Sequence, residues 1–102
     1  MKDVYLVLFS WGTESDCGIT SFVYANYNDA AKKFKEIIAD EMNPALSWVG
    51  REAFNSAGQI NKGFLLHEFT DETSGKDLTW QVGDYKHVER YSFINLLKRE
   101  IL

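Results

Sequence analysis

Residues 4–11, VYLVLFSW, constrain this chain more than any other stretch. Val4, Leu6 and Leu8 fall on one side of an extended chain, and Tyr5, Val7, Phe9 and Trp11 on the other. Both alternating sets are apolar, the run is short, and β-branched and aromatic residues dominate it. That pattern predicts a strand buried on both faces and placed centrally in a sheet.

The polar stretch GTESDCG then reads as a turn. ITSFVYANY (19–27) is a second β-rich run, with Ile19, Ser21, Val23, Ala25 and Tyr27 on one face. The short connection predicts an antiparallel hairpin. Asn28 and Asp29 supply an N-cap for an amphipathic helix over about 29–42. Its apolar stripe is Ala30, Ala31, Phe34, Ile37, Ile38 and Met42, and Asn43-Pro44 ends it.

The second half reads as β. SWVGREAF (47–54) is a strand or an extended lead into one, and 55–63 is a loop. FLLHEF (64–69) is a strand, 70–77 a polar turn, and LTWQVGDY (78–85) a strand with Leu78, Trp80 and Val82 on one face. The tail fits helix or strand periodicity; Tyr91, Phe93 and Ile94 favour a strand over 90–97. The order β-β-α-β-β-β predicts an α+β domain over 1–102: an antiparallel sheet with one main helix packed on one face.

Composition narrows the function classes. At 102 residues with 45% apolar and 15% aromatic content, the chain suits one folded domain. A formal charge of -4 disfavours phosphate-backbone binding, which needs clustered Lys and Arg, and is too modest to mimic a nucleic acid. Lys2 and the short apolar run do not make a signal peptide, because Asp3 interrupts the basic region and no small-residue cleavage site follows. The run is too short to span a bilayer. Cys17 is the one cysteine, which excludes an internal disulfide. These features imply a cytoplasmic protein without a membrane segment.

Catalytic constellations are weak. Cys17 lies beside Glu14 and Asp16, which oppose thiolate formation; a nucleophile there would need His67 or His87 as base. The two histidines show neither HExxH nor any other metal-ligand spacing, so no metal or cofactor is expected. Glu68, Asp71, Glu72, Asp77 and Asp84 cluster in sequence but do not follow a calcium-loop pattern, and read as solvated turn residues. GTESDCG lacks the Lys-Ser/Thr ending of a phosphate loop.

Aromatics are the informative excess: three Trp, five Tyr and seven Phe. Aromatic residues and Arg dominate interface hot spots, although small cores use aromatics as well. Trp48 reads as scaffold closing the end of the helix–sheet core. Arg51 and Phe54, past Gly50, are expected to face outward on an edge. With Tyr85, Arg90 and Tyr91 they form the candidate interface.

YLVLFSWGTES, DAAKKFKEIIADE, NPALSWVG and DYKHVERYSFINL together resemble short uncharacterised α+β proteins of Gram-positive bacteria and their mobile elements. The likeness covers most of the chain and consists of a hydrophobic pattern with a few Trp and Tyr. No activity or catalytic residue is established for that group, so the resemblance implies a small intracellular accessory protein and nothing finer. The leading expectation is therefore a protein-binding or accessory module that docks on a protein partner or self-associates as a homodimer. The alternatives are a small enzyme assembled around Cys17 and His67 or His87, and a nucleic-acid-associated regulator.

Overall fold

A computed structural model describes residues 2–71 and 77–101. The chain forms strands β1 (Lys2–Gly12) and β2 (Cys17–Tyr24), helix α1 (Tyr27–Met42), and strands β3 (Phe64–Asp71), β4 (Asp77–Asp84) and β5 (Tyr91–Ile101). They build one antiparallel five-stranded sheet in the order β2-β1-β5-β4-β3, with the helix on one face. The expected α+β class and the order β-β-α-β-β-β are present. The tail is a strand, as favoured, and it is the middle strand of the sheet. Much of the polar turn expected at 70–77, with Glu72, lies outside the described residues.

The helix starts two residues before the expected point. Asn26, not Asn28 or Asp29, is the N-cap: its Oδ1 accepts the Asp29 backbone N–H at 2.9 Å, and its Nδ2 donates to Asp29 Oδ2 at 2.9 Å. This reciprocal pair satisfies an orphan amide of the first turn. The second strand ends at Tyr24 as a consequence, three residues before its expected end.

Paired residues share a face of the sheet, so the register sorts every strand residue. The inner face carries Val7, Trp80, Val82, Ser92, Ile94 and Leu96, all buried. Helix residues Ala30, Phe34 and Ile37 pack against this set, with Ala31, Ile38 and Met42 at its margin. The expected helix stripe is thus the observed one. The helix covers β5, β1 and β2.

Segment 43–63 lies over the other half of the inner face, and here the expected strand is corrected. SWVGREAF contains a wide helical turn, Val49–Ala53, not an extended chain. The Asn43 carbonyl accepts the Leu46 and Ser47 amides, and Ser47 Oγ accepts the Val49 amide at 3.2 Å, so the chain keeps coiling after Pro44. Val49 and Ala53, one helical turn apart, are fully buried. Gly50 presses on the carbonyl of Met42 at the end of α1, where a Cβ would collide with backbone. Phe54 then leaves in extended conformation, pairs with Ile60, and stacks on Trp80 with ring centroids 6.3 Å apart. Asn55 Oδ1 accepts the amides of Ala57 and Gln59, closing the 55–60 loop around Gly58 at φ 77°.

A second difference concerns β1. It lies inside the sheet, between β2 and β5, as expected of a central strand. It is covered on one face alone. Among the described residues no helix packs on the opposite face, and the 85–90 turn reaches it only at Gly12, where a Cβ would meet the Glu89 carbonyl.

Candidate functional site

The uncovered face is read directly from the register. β1 contributes Val4, Leu6 and Leu8; β5 contributes Tyr91, Phe93 and Leu97. β2 adds Ile19 and Val23, and β3 adds Leu65 and Phe69. The wing residues are the most open: Ile19 is 69% exposed, Val23 66%, Leu65 51% and Phe69 52%. Single exposed apolar residues are ordinary, but a contiguous set on one rigid sheet face marks an interaction surface.

Its polar residues are placed by position. Ser21, Thr79, Gln81, Asn95 and His67 interrupt the apolar rows. The Thr79 hydroxyl donates to Asn95 Oδ1 at 3.0 Å across β4 and β5, which satisfies both in part. The face's Lys and Asp/Glu side chains and Arg99 lie toward one end, where Lys2, Arg99, Asp71 and Asp77 stand. Arg99 Nη1 lies 4.0 Å from Asp77 Oδ2 there. At the other end, Leu65, Gly83, Tyr85, Val88 and Tyr91 line a shallow groove of about 250 Å³. Gly83 supplies no side chain to fill it, and Val88 is 80% exposed beside it.

The five expected interface residues divide between the two sides of the sheet. Tyr85 and Tyr91 line the groove on the uncovered side. Phe54 does not face outward: it is 7% exposed and belongs to the core, because the helical turn rotates it onto Trp80. Arg51 is exposed, but its Nη1 donates to the Pro44 carbonyl at 3.1 Å. Arg90 is held on the helix side. Its Nη1 lies 3.2 Å from Asp84 Oδ2, its Nη2 pairs with Glu52, and its guanidinium sits 4.4 Å from the Trp48 ring centroid. Trp48 also meets Phe64 at 6.3 Å, in keeping with a scaffold role.

A second constellation lies at the end of α1. Phe9, Trp11, Thr13, Glu41, Ser47, Trp48 and Arg51 border an open depression. Burial pushes the Glu41 carboxyl above its usual range, and hydrogen bonds from Ser92 and Ser47 oppose that shift. The Ser92 hydroxyl donates to Glu41 Oε1 at 2.9 Å and is itself fully buried. This network ties the helix end to the start of β5.

The thiol and the imidazoles are dispersed. Cys17 begins β2 and His67 sits in β3, the two opposite edges of the sheet. Four strand spacings separate those edges, about 19 Å, which is beyond the reach of a nucleophile–base pair. His87 Nδ1 is 3.5 Å from Glu14 Oε1 near the β1–β2 turn. Among the described residues no hydrogen bond joins Cys17 to either histidine, and no group of His, Cys, Asp and Glu is placed to hold a metal ion. Among those residues, too, no helix is long and apolar enough to cross a membrane.

The wing residues Ile19, Val23, Leu65 and Phe69 were absent from the sequence-derived interface. Their signal was available in the strand alternation, which is apolar on both faces of the sheet. Comparison with known proteins supplies no relative: no family model, curated protein or solved structure matches the chain.

Proposed function

We propose that this protein is a small protein-binding module whose working surface is the uncovered face of its sheet. The observation that carries the reading is the row of apolar side chains on a face that no described element covers. The wing side chains there stay more than half exposed, so a partner gains the remaining apolar burial, at about 25 cal/mol per Å² before association costs. A rigid antiparallel sheet also presents these residues without an ordering cost, which favours a preformed binding surface. The charged groups at one end offer orientation rather than affinity.

Site-specific photo-crosslinking in the cell of origin tests this. A photoreactive residue at position 19 or 69 reports on the uncovered face; one at position 35 reports on the outer side of the helix. Protein adducts at 19 and 69, with little at 35, are expected. Equal yields at all three positions, or none at any, would refute the reading.

A further inference from the structure

We infer that the partner on the uncovered face is a second copy of this chain, stacked face to face about a two-fold axis running along β5. The inference rests on the binding-surface reading above and names its occupant.

The first ground is area. A compact monomer of 11.7 kDa exposes about 5,900 Å² by the scaling of surface with mass, whereas this chain exposes 6560 Å². The surplus, about 650 Å², approaches the ~800 Å² that each partner buries in an interface of standard size. The Cα radius of gyration, 14.4 Å, likewise exceeds the about 12.8 Å of a compact domain of this length. The chain has the proportions of half a sandwich, a sheet with one layer of cover missing.

The second ground is self-complementarity. β5 is the middle strand, with β1 and β4 beside it and β2 and β3 outermost. Rotation about β5 lays the β2 wing of one copy on the β3 wing of the other, as a two-fold interface requires. The rows then match. Phe69 and Ser21 share one row across the sheet, through Thr79, Asn95 and Leu8. Phe69 of one copy therefore lands over the small Ser21, between Ile19 and Val23. Ile19 lies in the row of His67, so it lands on that imidazole, flanked by Leu65 and Phe69. On each wing Phe69 thus fills the space above Ser21 while Ile19 packs on a ring, at the ~10 Å separation of sandwich sheets. The match specifies sheets stacked with their strands nearly parallel, since an angle of about 30° would slide each wing by about 5 Å, most of one row.

Sedimentation of the purified full chain over a wide concentration range tests the assembly, with circular dichroism to confirm folding. Wild type is expected as a dimer at high concentration. Ile19→Lys and Phe69→Glu are each expected to weaken it at least about tenfold, since each buries a charge under the opposite wing. Mixing the two variants is the specific arm. The mixed dimer pairs one lysine with one glutamate on one wing and restores the native contact on the other, so it should form more tightly than either variant alone. A dimer joined through strand edges would show no such rescue, and that result would overturn the inference. A strict monomer at near-millimolar concentration would also overturn it. Crosslinks to a different protein at positions 19 and 69 would, with a monomer, leave the binding-surface reading standing; absence of both would remove the two together.

Discussion

Arg90 is fixed at three points: Asp84, Glu52 and the ring of Trp48. Asp84 is 8% exposed, and its Oδ1 also accepts the Lys86 and His87 amides. Arg90→Ala leaves that carboxylate without its cationic partner and strips one face of Trp48. The expected loss is about 2–3 kcal/mol in urea unfolding, the range for hydrogen bonds to charged groups. Arg51→Ala removes an exposed side chain and one bond to a carbonyl, and should shift stability by no more than about 0.5 kcal/mol. The two arginines look alike in sequence; the difference lies in a contact across 38 residues from Glu52 to Arg90, which no local pattern encodes. Glu41 gives a pH test. Its folded-state pKa is raised, so the unfolded chain binds fewer protons as pH climbs past the ordinary carboxyl value of 4.5, and stability falls through that window. Glu41→Gln should therefore match wild type most closely in acid and gain on it as pH rises from about 4.5 through the raised value. A stability difference that stays flat from acid to neutral pH would count against this reading of Glu41.

At the scale of elements, the strands and the helix were legible because their periodicities are clean. Trp80 and Val82 alternate inward as the sequence implies, and Ala30, Phe34 and Ile37 keep helical spacing. Segment 47–54 was not legible as an element, and Phe54 was misplaced with it. Its apolar residues Val49, Ala53 and Phe54 are four and five apart, a helical spacing, but the segment is too short for periodicity to decide. The structure shows why Gly50 stands there: the turn packs directly on the last carbonyl of α1. Gly50→Ala should force the two apart and cost about 1–3 kcal/mol, the usual range for overpacking. Trp48→Ala should cost less than the ~3–5 kcal/mol of a fully buried ring, since Trp48 is half-buried at the core margin between Arg90 and Phe64. Both losses would be measured by thermal or chemical unfolding of the full chain. A Gly50→Ala variant as stable as wild type would mean the turn can shift away from the helix end.

For the whole molecule, the opening run VYLVLFSW called for burial on both faces, and the folded chain supplies cover for one. The sequence signal was sound about chemistry: both alternating sets of β1 are apolar, and the one facing the helix is buried with the core. One helix of 16 residues spans about 24 Å and covers one side of one sheet. Nothing else in 102 residues forms a second layer among the described residues. If a second copy supplies it, folding and association are linked, and stability depends on protein concentration. Each tenfold increase adds about 1.4 kcal/mol per dimer. For a pair of such chains that raises the unfolding midpoint by about 3–6 °C. The variant Ile19→Thr separates this from monomer effects. Ile19 is 69% exposed on the free chain, so the change should leave the midpoint almost unmoved at low concentration. At high concentration, where the dimer sets this position between Leu65 and Phe69 of the other copy, the lost apolar contact should lower it. Scanning calorimetry of both proteins across two decades of concentration reads the divergence directly. Parallel midpoints for the two, or no concentration dependence in either, would overturn the assignment of a second copy to this face.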